Sequence, residues 1–409
     1  MFIQRITLFI VCLFSVWGIS LLVDRGKIMT PEITVPYFSG AALLNTSENW
    51  TFNLAEVDSL KKLSTLSDLS ERKNAIDNYR FSTIPDSTHI YQLNQPGLVY
   101  IIFIAKKIFP FKGDIGALKH LQLLIHVIFC YFILLNLKTR KKQLLFFLLY
   151  FINPAIIYLT LFPFYYFWQV IGSYILLLVI LNQKYQKFFV LCISAILLAG
   201  IYHIRISTFS LSVFILVIGF HKTAPIKRLI ALSIFFLGVY FMQPSYLSKH
   251  PGHVMYSSLG AYPNSPVKGF SDNISFENYS NATGTKFSYE STPSMYDSDV
   301  IMGEAKWGLK EFLKFSKEHP FIILRNAVLN VFESFSFGYF TTSMTLTYLS
   351  AFLGFCFLVL ILIRKKHTHV ILLLASSCSY IFYLAPVPIY LYGTYILLLY
   401  VFIEAIEKD

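Results

Sequence analysis

Charge is scarce in this chain. Of its 409 residues 14% are charged, where a soluble domain of this size carries about 25%. Acids are the scarcer sign, with 22 Asp and Glu against 34 Lys and Arg and a net charge of +12. Cysteine is sparse as well. Cys12, Cys130, Cys192, Cys356 and Cys378 all fall inside apolar runs, a placement that predicts neither a disulfide nor a metal site. There is no Walker loop, dinucleotide fingerprint, zinc signature or G-x-S-x-G elbow. Those absences count against ATP hydrolysis and against use of a soluble nucleotide sugar. No internal repeat or low-complexity tract is present.

What fills the chain is hydrophobic sequence, 56% of it. Apolar runs of about 18 residues or more read as membrane-crossing helices. They lie near 5–22, 117–136, 143–160, 167–182, 187–203, 207–220, 226–244, 341–363, 367–384 and 387–405. The expected fold class is therefore an all-α polytopic membrane protein with about ten transmembrane helices, forming one membrane domain over 1–409. The first run follows Arg5 and lacks a small-x-small cleavage site, so it reads as an uncleaved signal anchor.

Net positive charge in a soluble protein would suggest nucleic acid. Here Lys and Arg gather in short loops instead: 138–142, 184–187, 222–228 and 364–366. Placing all of them in the cytoplasm satisfies the positive-inside rule. It also fixes the alternation, with both termini cytoplasmic and the two long polar stretches, about 24–95 and 245–318, within outer loops over 24–116 and 245–340. The run 98–109 is too short to span and carries Lys106 and Lys107, so an interfacial helix is expected near 97–109, with Pro96 in its first turn. Helical periodicity also appears over 59–78 and 300–317, and His319-Pro320 precedes an amphipathic helix at 321–335 that carries Arg325. Asn153-Pro154 falls inside a predicted span, where the proline releases a backbone carbonyl that a neighbour must satisfy. The segment 161–168 is a short aromatic outer loop, whose rings suit the membrane interface and could also line a sugar site. Asn49-Trp50-Thr51 and Asn281-Ala282-Thr283 match glycosylation triplets and carry little weight.

Chemistry needs polar groups, and the outer loops hold them. The first offers Asp24, Glu32, Glu48, Glu56 and Asp58. A carboxylate partly desolvated at the membrane surface has a raised pKa and can act as general base. Asp24 directly follows the first span and Glu32 lies a few residues on. The competing readings are a surface partner for Arg25 and a solvated loop acid, respectively. Arg205, in Tyr202-His203-Ile204-Arg205, sits at the outer end of a span, where a cation either binds a lipid phosphate or snorkels to headgroups. The second loop offers Lys249, His250, His253, Asp272, Glu277, Asp297, Asp299 and Glu304. Asp297-Ser298-Asp299 has the spacing of a metal-binding acid pair, a pattern common by chance. His120 and His126 fall within a span and show no ligand spacing. The predicted spans hold no string of acids of the kind proton-driven transporters show.

In order, these features resemble the C-type (GT-C) integral-membrane glycosyltransferases, which use lipid-phosphate-linked sugars on the non-cytoplasmic face. Glu32, Tyr37 and 40–44 (GAALL) look like the family's acid, tyrosine and small-residue helix after the first span, with Asp24 the second candidate for the acid. Asn94-Gln95-Pro96-Gly97-Leu98-Val99-Tyr100 is similar to its Pro-containing short helix, and 120–158 to its span, basic loop and Asn-Pro span. Arg205 resembles a family Arg at the outer end of a later span. The stretch 253–264 (HVMYSSLGAYPN), Asp272 and His319-Pro320-Phe321 resemble features of bacterial members. Two departures stand out: 162–169 has no acid, and Ile389-Tyr390 replaces an Arg-Tyr pair. A narrower likeness is to bacterial O-antigen-modifying glucosyltransferases.

The resemblance implies a multi-pass enzyme of the bacterial inner membrane with its active face periplasmic. It would move a sugar, with inversion, from a polyprenyl-phosphate donor to a glycan such as lipopolysaccharide O-antigen. Glu32 or Asp24 would be catalytic; Arg205, His203, Tyr37, His253 and Asp272 would bind substrate. The expected partners are the lipid-linked donor, the acceptor glycan and the bilayer, without nucleic acid. No cofactor is expected, and a divalent metal has no sequence support. Two alternatives stay open: an O-antigen or capsule polymerase using lipid-diphosphate-linked repeats, favoured by Arg205 with Arg325, and a glycan transporter or flippase.

Overall fold

The structure, a computed structural model, describes residues 2–44, 54–82, 96–242, 252–265, 267–286, 298–363, 366–380 and 385–406. Every regular element among the described residues is helical. Four helices are long and apolar enough to cross a membrane: Gln4–Val23, Asp114–Asn136, Met344–Ile363 and Pro388–Ile406. A fifth candidate is the bent pair Arg140–Phe151 and Pro154–Thr160, whose axes differ by 52°. The other predicted spans that fall on described residues form shorter helices, among them Phe167–Leu181, Phe188–Ile204, Ile206–Gly219 and His367–Ser377. The expected short helices are present. Pro96 opens Pro96–Ile108, the periodic segment 59–78 falls in Leu54–Ser64 and Leu69–Asp77, and Pro320 opens Pro320–Glu333. Asn49-Trp50-Thr51, Glu48, 91–95, Lys249, His250 and Asp297 lie outside the described residues.

The chain divides into two compact units, Met1–Gln243 with Tyr392–Asp409, and Pro244–Leu391. In the first unit the opening helix, Phe2–Val23, runs antiparallel to Asp114–Asn136. Tyr131 Oη donates to Arg5 O at 2.8 Å near one end, and Lys119 meets Asp24 at the other. Leu21, Leu22, Trp17 and Phe14 are exposed, as suits a helix that faces lipid.

The bend at Asn153-Pro154 has a local cause. A π-turn over Phe147–Phe151 ends the first segment, and Pro154 starts the second at a position where its missing N–H costs nothing. Asn153 caps that start, its side-chain oxygen accepting from Ala155 N at 2.9 Å, while its amide donates to Leu149 O at 3.0 Å. The carbonyl of Phe151 lies 3.0 Å from His126 Nε2. A carbonyl only accepts, so Nε2 carries the proton, and Nδ1 accepts from Tyr174 Oη at 2.9 Å. His126 is thus a structural residue that satisfies the broken backbone at the bend.

Three basic loops of this unit share one end. Asn182 Nδ2 donates to Asn136 Oδ1 at 2.7 Å, which ties the turn before 184–187 to the one before 138–142. Thr223 Oγ1 donates to Gln186 O at 2.8 Å, bringing in 222–228. Lys142 pairs with Glu404 at 2.6 Å, which adds the end of Pro388–Ile406. Clustered cations of this kind are what a single membrane face produces.

In the second unit the helix Gly252–Leu259 packs on Ser298–Glu318 through Tyr256, Leu259, Phe312 and Phe315. Pro320–Glu333 packs on Met344–Ile363, where Phe332 and Phe355 meet with ring centroids 5.3 Å apart. Tyr262 Oη lies 2.8 Å from Glu333 Oε2 and 2.7 Å from Asn330 Oδ1, inside the unit.

Candidate functional site

The helix Phe188–Ile204 starts at the basic end of the first unit and runs 17 residues, about 25 Å at 1.5 Å per residue. Arg205 follows it, so Arg205 lies at the opposite end. Its guanidinium carbon sits 4.3 Å from the centroid of the Tyr165 ring and 5.7 Å from that of Tyr166. Nε donates to Ser207 Oγ at 3.2 Å. The aromatic segment beneath it is anchored from below: Gln122 Nε2 donates to the carbonyls of Phe162 and Phe164 at 3.3 and 3.2 Å. Phe164 and Tyr165 touch with centroids 4.0 Å apart. Trp168 is 3% exposed, and its indole N–H has no hydrogen-bond partner among the described residues. A buried donor of that kind calls for an acceptor.

Tyr37 reaches the same segment. It lies on the helix Pro31–Leu43 and its ring meets the edge of Phe164 at 5.5 Å and 85°. Glu32 stands in the first turn of that helix, where Pro31 sets the entry and the positive end of the helix dipole favours an anion. Its Oε1 is 2.6 Å from Lys61 Nζ on the helix Leu54–Ser64. That hydrogen bond to Glu32 holds the Lys61 ammonium above its ordinary pKa. Glu32 retains part of its surface, with 21% of the side chain exposed.

Asp24 has a different setting. It is 3.0 Å from Lys119 Nζ and 3.5 Å from Lys73 Nζ, and its Oδ1 accepts from Gly26 N at 3.0 Å. Lys119 in turn reaches Asp77 at 2.7 Å, and Lys73 reaches Asp77 at 2.7 Å. Two acids and two lysines form a closed network at the end of the first helix. Burial works against the Asp77 carboxylate, but Lys119 and Lys73 outweigh it and hold its pKa below the ordinary value. The partners of Asp24 are distant lysines, where sequence proximity pointed to Arg25. Asp24, 7% exposed, is enclosed by two lysines, whereas Glu32 meets the exposed Lys61 and keeps 21% of its side chain at the surface, which leaves Glu32 as the more accessible of the two candidate bases.

A third acid matters more than its sequence suggested. Glu56 is 8% exposed, accepts from Ser82 N at 2.6 Å and from Ser39 Oγ at 2.8 Å. Burial is the main cause of its raised pKa. Ser39 and Glu32 are seven residues apart on one helix and so share a face, which Glu56 and Lys61 of the antiparallel Leu54–Ser64 helix cover.

His203, expected beside Arg205 in substrate binding, is enclosed. It is 1% exposed, its ring meets Tyr202 at 5.4 Å, and its backbone abuts Gly97. Two further expected residues belong to the second unit. His253 Nδ1 is 2.9 Å from Oε2 of Glu304, a carboxylate with no exposed surface that also accepts from Ser275 Oγ. The two atoms are not aligned as a hydrogen bond, so the contact is an ion pair only when the imidazole is protonated. Asp272 opens the helix Asp272–Thr283; its side chain lies outside the described residues. The first unit thus brings together Tyr37 and Arg205 through the aromatic segment, with Glu32 on the helix of Tyr37. Among the described residues no group of three or more His, Cys, Asp or Glu side chains is arranged to hold a metal ion.

Sequence reasoning missed the Lys119 network and, though it marked 161–168 as aromatic, the stacking of Arg205 on Tyr165 and Tyr166. A signal for the first existed: Lys119 is a cation inside a predicted span, and such a residue needs a partner. No family model matches the chain, and neither a curated protein nor a solved structure matches it.

Proposed function

We propose that the chain is a bacterial inner-membrane glycosyltransferase that moves a sugar from a polyprenyl-phosphate donor to a periplasmic glycan such as O-antigen. One observation carries the reading. Arg205 is laid on an aromatic platform that also touches Tyr37, on the helix whose first turn holds Glu32. That is a phosphate-binding cation and a carboxylate at one end of a bundle with helices of membrane length.

In this mechanism the acceptor hydroxyl attacks the anomeric carbon of the donor sugar. The bond from that carbon to the phosphate oxygen breaks, and polyprenyl phosphate leaves with the electron pair. Glu32, released from Lys61, takes the hydroxyl proton. The planar guanidinium of Arg205 offsets the charge that grows on the departing phosphate. Tyr165, partly exposed, supplies a ring at the site, and the buried Tyr166 and Tyr37 hold the segment beneath it. Asp24 keeps a structural role through Lys119.

Purified protein in nanodiscs, supplied with polyprenyl-phosphate sugar and acceptor glycan, tests the reading. Glu32→Gln and Arg205→Ala should abolish or greatly slow transfer, and Asp24→Asn should lower stability more than the rate per folded molecule. Transfer unaffected by the first two variants would sink the site. Transfer from a diphosphate-linked oligosaccharide alone would indicate a polymerase.

A further inference from the structure

The helix Pro320–Glu333 is amphipathic in the wrong sense for water. Its outward residues are Phe321, Leu324 and Val328, which are 83%, 61% and 43% exposed. They recur at i, i+3 and i+7 and so form one stripe. Its inward residues are largely polar: Asn326, Asn330 and Glu333 are 8%, 5% and 0% exposed, beside Ala327 at 7%, while Ile322, Ile323 and Leu329 at its flanks pack on the apolar clusters of the unit. Asn330 donates to Tyr380 O at 2.9 Å and accepts from Tyr262 Oη. Arg325 does not extend the polar side into the stripe; its Nη2 turns back to Pro263 O at 2.8 Å and to Asn326 Oδ1 at 2.9 Å. A helix in water buries its apolar face. Apolar outside with polar inside is the arrangement of a helix in lipid.

Two neighbours agree. The helix packs on Met344–Ile363, which is long and apolar enough to cross a membrane. The packing is close, since a Cβ on Gly354 would overlap the Phe332 carbonyl. Leu349, Phe352 and Phe355 of that helix are exposed too, so the apolar surface continues from one helix to the next. The preceding helix, Ser298–Glu318, presents Lys306, Lys310, Lys314 and Lys317, all exposed. At roughly 100° per residue they fall within an arc of about 80°, opposite the buried Ala305, Phe312 and Phe315. Asp299 shares that arc only in the first turn, and Glu318 and Glu311 flank it on one side.

We infer that Pro320–Glu333 is embedded in the acyl region of the bilayer beside Met344–Ile363, and that the four lysines leading into it lie at the phosphates of anionic lipids. The helix has 14 residues, about 21 Å, too short to span the hydrocarbon alone. It enters as a partial insertion, and the lysine stripe sets its depth. The second polar stretch is then a lipid-seated element over part of its length.

The test uses full-length protein in nanodiscs of phosphatidylethanolamine with phosphatidylglycerol. A benzophenone amino acid replaces Leu324 or Val328, with Phe355 as the lipid-facing control and Asn281, exposed on Asp272–Thr283, as the aqueous control. Irradiation should give lipid adducts at 324 and 328 at the level seen at 355. Adducts no higher than at 281, or cross-links to another protein chain, would overturn the embedding. A second arm replaces the four lysines by Gln and measures phosphatidylglycerol retained by the protein at low salt. Retention should fall by roughly five-fold for each lysine that engages a headgroup. Unchanged retention would overturn the headgroup contact while the adducts judge the embedding separately.

Discussion

The guanidinium of Arg205 lies over the Tyr165 ring, 4.3 Å from its centroid. A planar guanidinium stacked on a ring keeps its N–H groups in one plane, the geometry that two parallel bonds to a phosphate require. Arg205→Lys keeps the charge but loses the plane. We expect kcat/KM for a polyprenyl-phosphate donor to fall about 5- to 30-fold in Arg205→Lys, as for the loss of ~1–2 kcal/mol of stacking and bidentate contact. Tyr165→Ala should fall similarly and Tyr165→Phe should not. Equal rates in all three would show that the stack has no part in donor use.

Lys119 sits 2% exposed between Asp24 and Asp77. Its removal strands two carboxylates with Lys73 as their remaining lysine in the network. Lys119→Met should cost about 3–5 kcal/mol, seen as a lower unfolding temperature in detergent. A triple variant, Lys119→Met with Asp24→Asn and Asp77→Asn, should recover much of that loss, because the buried carboxylates and their desolvation cost vanish together while Lys73, 29% exposed, can turn to water. A triple variant no more stable than the single one would contradict this account.

The contrast between Asp24 and Arg205 explains what was legible in the sequence. Helical content and the position of Arg205 at a helix end follow from local composition, and three of the four basic loops gather at one end through Asn136, Gln186 and Lys142. The role of Asp24 depends on Lys119, 95 residues away, and nothing in a single sequence announces that pairing. Hydropathy also does not show bends. The run 143–160 reads as one straight span, and Asn153-Pro154 with the π-turn bends that candidate span by 52°. In 321–335 the periodicity was plain, but which face is buried is settled by tertiary packing.

Glu56 gives a pH dependence with a definite sign. Burial raises its folded pKa above the unfolded value, so the protonated form is the one the fold favours. Its contribution is fully present below the unfolded pKa and is lost as pH rises through the folded one. Asp77, with its lowered pKa, acts oppositely and loses its contribution as pH falls through the folded value. Glu56→Gln should therefore flatten the decline in stability on the alkaline side of the carboxylate range and leave the acid limb intact. Thermal unfolding from pH ~2 to ~8 reads both limbs, since the lowered pKa of Asp77 puts its loss below the ordinary aspartate range; an unchanged upper limb would contradict the assignment.

Gly97 and Gly200 make opposite predictions although both lie in helices beside the site. A Cβ on Gly97 would stand 2.8 Å from the backbone of His203 and Ile204, and backbone cannot yield as a side-chain end can. Gly97→Ala must push Pro96–Ile108 away from the end of Phe188–Ile204, directly before Arg205. We expect a loss of about 1–3 kcal/mol in stability together with a higher KM for the donor, since the Arg205 stack moves. Nothing lies within 4 Å of a Cβ on Gly200, so Gly200→Ala should gain roughly 0.5–1 kcal/mol from backbone entropy and leave KM unchanged. Unfolding temperatures and donor titrations of the two variants check the pair. A donor KM that follows stability in neither variant would separate Arg205 from the packing at Gly97.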